Sequence, residues 1–160
     1  MADTVRLDHL HIRPAVVGDL DAIVRLLADD AFACHYESYA SPLPPSYAEG
    51  FAEIAADPNN KLVVVECAGA VIGVLQLTII PGISFQGRRR AQIESVRVDR
   101  RYRCQGVGTQ LVTWAIEQAR QRGCRLIQLT SHHERTAAHR FYERLGFRAS
   151  HVGMKLTLSE

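Results

Sequence analysis

The chain has 160 residues, of which 47% are hydrophobic and 22% charged, with a formal net charge of +2. That length buries a proper core, the apolar and charged fractions argue against wholesale disorder, and so small a net charge argues against a nucleic-acid binder. Four scattered cysteines, Cys34, Cys67, Cys104 and Cys124, offer no C-x-x-C pair and no zinc-like histidine spacing, and no apolar run reaches the length of a membrane span.

The predicted elements follow in chain order. Met1 to Arg13 carries charges and no apolar signal-like stretch, so neither a leader nor an anchor is expected, and the cysteine usage fits a reducing cytoplasm. Leu10 and Ile12 alternate with polar residues in a short strand that stops at Pro14. Asp19 is a candidate N-cap for a helix over 19–28, with Leu20, Ile23, Val24 and Leu27 on one face. Residues 30–46, with Phe32, His35, Tyr36, Tyr39 and prolines, read as irregular or partly helical, and a second helix covers about 47–56. Strands 62–67 and 71–80 flank Ala68-Gly69 as a hairpin, with Cys67 a small core residue. After a loop over 81–90, in which Arg88–Arg90 read as a solvated charge run, comes a strand over 91–98. Strict alternation along it puts Ile93, Ser95 and Arg97 on one face and Glu94, Val96 and Val98 on the other. A helix over 106–122 buries Val107, Leu111, Ala115 and Ala119 and stops at Gly123; a strand over 125–130 follows. The last helix, about 134–145, groups Ala138, Phe141, Tyr142 and Leu145, and strands 147–150 and 152–158 close the sheet. Strands placed before, between and after helices predict one α/β domain over 1–160, with helices on both faces of a mixed sheet.

The densest chemistry lies in Arg103-Cys104-Gln105-Gly106-Val107-Gly108. A glycine-spaced turn that opens a helix presents backbone N–H groups where the helix dipole favours an anion, and Arg100, Arg101 and Arg103 add charge at its rim. A plain tight turn is the other reading of a glycine pair. The order of residues matches neither a Walker A loop nor a dinucleotide fingerprint.

Arg103-x-x-Gly106-x-Gly108 resembles the acyl-coenzyme A turn of the GNAT superfamily of N-acetyltransferases, and Ala138-x-x-Phe141-Tyr142-x-x-x-Gly146-Phe147 resembles its C-terminal signature. Asp57-Pro58-Asn59, Trp114-Ala115, Ala138–Tyr142 and Ser150-His151 are most similar to the small-amine branch that includes aminoalkylphosphonate N-acetyltransferases. The resemblance implies a mostly antiparallel sheet of six or seven strands, splayed into a V between strands 91–98 and 125–130. It implies acetyl-CoA as cosubstrate, with no metal expected, bound by Val96, Arg97, Val98, Arg103, Cys104, Gln105, Gly106, Val107, Gly108, Thr109 and His132. Pantetheine enters the V and bonds the backbone of Val96–Val98, and the Val96 N–H polarises the thioester carbonyl. The family commonly has Gly where Cys104 stands and Asn where His132 stands. His132 reads equally as a ligand contact or a surface histidine.

Acetyl transfer to an amine requires loss of an ammonium proton and a proton for the departing thiolate. Glu94 is the candidate base, on the expectation that a central strand buries it beside Val96 and Val98 and raises its pKa; a solvated or salt-bridged glutamate is the alternative. Tyr142 matches the tyrosine that protonates the thiolate in many relatives, and a phenol of pKa near ~10 suits that task; a core aromatic is the alternative. Phe32, Tyr36 and Phe85 fall in segments that line the acceptor cleft in relatives. Arg135 and Arg140 read as solvated helix charges or as contacts to the coenzyme's nucleotide phosphates. The implied function is direct acetyl transfer to a small primary amine by a cytoplasmic monomer or homodimer with no nucleic-acid or membrane partner. A protein lysine or N-terminal acetyltransferase and a non-catalytic acyl-CoA sensor are the rivals.

Overall fold

The computed structural model describes residues 10–32 and 34–158. The N-terminal charged stretch therefore lies outside the described residues as far as residue 9. Strand β1 is His11–Pro14, and a 3₁₀ turn, Val17–Asp19, leads into helix α1, Leu20–Ala28. The Asp19 side chain does not cap the helix amides; it accepts from Val16 N–H at 2.8 Å and from Arg13 Nη1 and Nη2 at 2.7 and 2.9 Å. Helix α2 is Pro45–Ala56, two residues longer at its start than its pattern suggests, because a proline is well tolerated in the first turn. Strands β2, Asn60–Cys67, and β3, Ala70–Ile80, form the expected hairpin, with Ala68 at φ 49° and Gly69 at φ 78° in its two-residue turn. A one-turn element, α3 (Ser84–Gly87), holds Phe85 and Gln86 at positive φ before β4, Arg89–Val98. Helix α4 is Val107–Gln121, β5 is Cys124–Leu129 and helix α5 is Thr136–Arg144.

The sheet runs β1-β2-β3-β4-β5, antiparallel except for the parallel β4–β5 pair. The β4–α4–β5 crossover is what makes that pair parallel, since parallel neighbours need a long connection. Val63, Val65, Ile72, Leu75, Leu77, Ala91 and Ile93 form one core with Val107, Leu111, Val112, Ala115 and Ala119 of α4. Each fully buried Val, Leu or Ile among them contributes about 1.5–3 kcal/mol. Phe141, Tyr142, Leu145 and Phe147 pack on that core from α5 and its C-terminal exit. On the opposite face Ile23 and Leu26 of α1 meet Val64 and Val74.

Two expectations about the sheet are corrected. Five strands are present among the described residues, not six or seven: 147–150 and 152–158 follow α5 without entering the sheet. Phe147 is instead held against the core as a single anchor. The second correction concerns β4, whose alternation is broken at Ser95, a residue at φ 55°. Gln76 of β3 pairs with Glu94 and Val74 with Arg97, so two β4 residues, Ser95 and Val96, stand against Leu75. This is a β-bulge. It puts Val96 and Val98 on the core side with Ile93, and leaves Arg97 on the opposite side with Glu94.

Candidate active site

The bulge also opens the cleft. The β4–β5 register ends at Ile93 with Leu129, although β4 continues to Val98. Beyond Ile93 the two parallel strands part, and the Val96–Val98 backbone lines the gap on one side. Leu129 is also the last residue of β5, and the bulge bends β4 just beyond that pair, so Glu94–Val98 has no β5 partner.

At the end of β4 the chain turns on Asp99, which is buried at 3% exposure. Its N–H donates to Ile72 O at 2.8 Å; its carboxylate accepts from Arg101 N at 3.0 Å and from Arg101 Nη2 at 2.8 Å. These bonds hold its pKa well below the usual carboxylate range, Arg101 being the largest cause. A 3₁₀ turn, Arg100–Tyr102, follows, and then Cys104 (φ 60°) and Gly106 (φ 86°) reverse the chain into α4. Left-handed backbone suits Gly106 at no cost; Cys104, which has a Cβ, carries roughly 1–2 kcal/mol of strain. Gly108 matters for packing too: a Cβ there would stand 3.4 Å from Phe141 Cζ. The amides of Val107, Gly108 and Thr109 belong to the first turn of α4, where helix geometry provides no carbonyl partner.

The guanidinium rim is already partnered. Arg100 binds Asp29 at the end of α1, Nε to Oδ2 at 3.1 Å, and Arg103 lies 3.7 Å from the same carboxylate while donating through Nε to Val98 O at 2.9 Å. Arg101 and Arg25 share Asp99. Shallow grooves lined by Arg25, Asp29, Arg100 and Arg103 run beside the turn.

A charged cluster that no sequence spacing indicates stands at the mouth of the cleft. Asp30, 7% exposed, receives Arg135 Nη2 on both carboxylate oxygens at 2.6 Å and Arg97 Nη2 at 2.6 Å. Burial pushes the Asp30 pKa upward, but the Arg135 bonds, the Phe32 amide and the Arg97 charge outweigh it and the net shift is down. Arg97 also donates to Val96 O at 2.8 Å, while its Nε is buried without a hydrogen-bond partner. Two guanidiniums share this one carboxylate directly, and the charge of Glu37 also acts on Arg97. Arg135 is thus neither a solvated helix charge nor a free contact for a distant phosphate; Arg140 is exposed, as a solvated charge would be.

Tyr142 adjoins this cluster. Burial raises its pKa, while the charges of Arg97 and Arg135 pull in the opposite direction. Its ring packs edge-on against Phe141 and Phe147 at 5.0 and 5.7 Å. Phe32 joins the same group: Arg135 sits 4.6 Å over its ring and His132 lies 5.0 Å away. His132 is exposed and stacks on His133 at 4.4 Å, and its carbonyl accepts from His139 Nε2 at 3.0 Å.

Glu94 departs from expectation. The bulge removes it from the Val96 and Val98 side, and its side chain is exposed, so the argument from burial falls. It remains on the Arg97 side of β4, the side away from α4. Tyr36 and Phe85 are 80% and 64% exposed. Of the residues read from sequence, the structure brings together Phe32, Arg97, His132 and Tyr142, and sets Arg103 of the turn against Asp29, next in the chain to Asp30.

A mixed sheet that splits between two parallel strands, with a left-handed glycine turn opening a helix beside the split, defines an α/β acyltransferase fold. A profile of the acetyltransferase (GNAT) family matches residues 21–147, and the chain belongs to that family of acetyl-CoA-dependent acyltransferases. It is 34% identical over 106 residues to an aminoalkylphosphonate N-acetyltransferase of Salmonella typhimurium, covering 66% of this chain and 68% of that protein. It is 32% identical over 146 residues to a glucosamine 6-phosphate N-acetyltransferase of Trypanosoma brucei brucei, covering 87% of this chain and 97% of that one. A crystal structure from Bacillus halodurans, described as a transcriptional regulator, superposes with a TM-score of 0.91 at 49% identity, covering 94% of this chain and 100% of that one.

Proposed function

We propose that this enzyme transfers acetyl from acetyl-CoA directly to the primary amine of a small molecule that also carries an anionic group, a phosphonate or phosphate. The observation that supports the anionic part is the Arg97–Asp30–Arg135 cluster, which sets two guanidiniums beside Tyr142 with one carboxylate bonded between them. Guanidinium forks match phosphate and phosphonate oxygens. The two N-acetyltransferases similar to this chain are named for amines that bear such groups.

The residues fit acetyl-CoA as donor. Beyond Ile93 the β4 backbone leaves its β5 partner, so Val96–Val98 can bond a pantetheine arm, with the Val96 N–H directed at the thioester oxygen. The first-turn amides Val107, Gly108 and Thr109, with Arg103, Cys104, Gln105 and Gly106 shaping the turn, hold the pyrophosphate. The amine nitrogen forms the new C–N bond as the C–S bond breaks. Glu94, being exposed, takes the ammonium proton through water, and Tyr142 gives its phenolic proton to the departing sulfur. His132 and Phe32 form the wall against which the acceptor rests.

A thiol-release assay with acetyl-CoA over a panel of amines tests this. Aminoalkylphosphonates and amino-sugar phosphates should be acetylated with higher kcat/KM than glucosamine, polyamines or peptides. Arg135→Gln should raise KM for the phospho-bearing amines by roughly 10-fold or more, the size of one lost charge-assisted contact of about 1.5 kcal/mol, and leave KM for acetyl-CoA unchanged. Equal rates on neutral and anionic amines would remove the anionic requirement. Tight acetyl-CoA binding with no acceptor turned over would favour a non-catalytic acyl-CoA-binding sensor over an enzyme.

A further inference from the structure

We infer that the body of the acceptor is polyhydroxylated, an amino-sugar phosphate rather than an aminoalkylphosphonate, and that its hydroxyls bind a platform of amide side chains on the face of β3, β4 and β5 turned away from α4. The inference rests on the proposed reading, in which the phosphate meets Arg97 and Arg135 and the amine faces Glu94.

That face changes character along its length. At one end Val64 and Val74 are buried against Ile23 and Leu26 of α1. Further along the same two strands Leu62 stands opposite Gln76, and Asn60 opposite Thr78. On β4, Glu94 pairs with Gln76 and Gln92 with Thr78; on β5, Gln128 pairs with Gln92. Side chains alternate between faces, so Asn60, Gln76, Thr78, Gln92, Glu94 and Gln128 share the α1 side. Leu75, Leu77, Ala91 and Ile93, which lie between them, are buried in the core with α4. Asn60, Gln76, Thr78 and Gln92 are half-buried, and Glu94 and Gln128 are exposed. The bulge at Ser95 returns Arg97 to this same side, so the platform runs through Glu94 to the Arg97–Asp30–Arg135 cluster.

A solvated sheet face needs only to be polar. Here all but Glu94 are uncharged amides or hydroxyls, and they are bonded to one another. Asn60 Oδ1 accepts from Thr78 Oγ1 at 2.6 Å and from Gln76 Nε2 at 3.1 Å, and Asn60 Nδ2 donates to Asp57 Oδ2 at 2.6 Å. Asn60 thus orients Gln76 and Thr78. Gln128 Nε2 donates to Gln92 Oε1 at 2.8 Å, while Gln92 Nε2 reaches Ile93 O only at 3.5 Å. A glutamine has two donor hydrogens and a carbonyl with two lone pairs, so these bonds leave capacity directed outward. Sugar hydroxyls donate and accept, as the amides do. An alkyl chain laid on the same amides would remove their water and return no hydrogen bond. Three strands span about 10 Å, and two residues along a strand about 7 Å, which is room for a single sugar ring.

Kinetics and side-chain amide NMR of the full-length chain test this. The kcat/KM for glucosamine 6-phosphate should exceed that for aminoethylphosphonate by about 10-fold or more, the size of two neutral hydrogen bonds. Gln128→Ala, at an exposed position, and Gln92→Leu should each lower the ratio of those two constants by about 5-fold. Glucosamine added to the coenzyme A-loaded protein should shift the side-chain NH2 signals of Gln92 and Gln128, and aminoethylphosphonate should not. Equal kcat/KM for the two anionic acceptors, a ratio that neither variant changes, or amide signals unmoved by the sugar would each overturn the inference. The anionic requirement fails on a different result. If glucosamine and its 6-phosphate react alike that requirement falls, and the amide shifts still report whether hydroxyls bind the platform.

Discussion

Tyr142 illustrates how much one side chain's surroundings decide. It packs like a core aromatic between Phe141 and Phe147, yet Arg97 and Arg135 act on its phenol, which a merely structural ring would not need. Tyr142→Phe keeps the packing and deletes the proton, so thermal stability should hold while kcat falls by about 10²-fold or more. Unchanged kcat, with chemistry shown to limit the rate, would return Tyr142 to a packing role. Asp30 gives the opposite pattern. Asp30→Ala leaves the half-buried Arg97 guanidinium without its carboxylate and should destabilise the fold by about 3 kcal/mol in urea titrations. The sequence motif singles out Tyr142, and the resemblance singles out the segment of Phe32; the structure places both near Arg135. Asp30 is not legible in the sequence, since its partner Arg135 lies 105 residues away and nothing there joins the two. Glu94 was legible as a residue and misread in its setting, because a serine at 95 gives no sign that its φ will be 55°.

At the level of elements, most of the fold could be read from sequence because most of its strands and helices keep their period. The β2–β3 hairpin, α4 with its stop at Gly123, and α5 all lie within a few residues of their predicted bounds. Interruptions of period were harder. The bulge in β4 and the unpaired segment after Phe147 both depend on what stands opposite, which a single strand does not record. The turn into α4 offers a test in which stability and ligand binding move apart. Thr109 is exposed in the helix's first turn. Thr109→Glu places a carboxylate where the helix dipole welcomes it, so stability should hold or rise by about 0.3–1 kcal/mol. The same charge opposes a pyrophosphate, and coenzyme A affinity should fall by more than 10-fold in calorimetry. Gly108→Glu would be a poorer probe, since its new Cβ meets Phe141 and mixes a packing change with the charge. Coenzyme A affinity unaffected by Thr109→Glu would detach the turn from phosphate binding.

Across the whole molecule the net charge is small, but four aspartates each hold an arginine, three of them near the end of β4 and Asp19 at the β1 edge of the sheet. Asp19 holds Arg13 beside Glu66, Asp29 holds Arg100, Asp30 joins Arg97 to Arg135, and Asp99 holds Arg101. All four carboxyls have pKa values shifted downward. A carboxyl whose folded pKa lies below its unfolded value near ~3.9 binds more protons when unfolded, so its contribution is fully present above that value and is lost as pH falls through the folded pKa. The melting temperature should therefore be level from neutral pH to about pH 5 and fall steeply below about pH 4. Asp99 is the most deeply buried of the four and is bonded by Arg101 through both backbone and side chain. Asp99→Asn should accordingly be less stable at pH 7 by about 1–3 kcal/mol and lose less of its remaining stability between pH 5 and pH 3 than the wild type. Parallel acid limbs for the two proteins would mean that Asp99 titrates alike folded and unfolded, and that its bonds to Arg101 do not stabilise the turn.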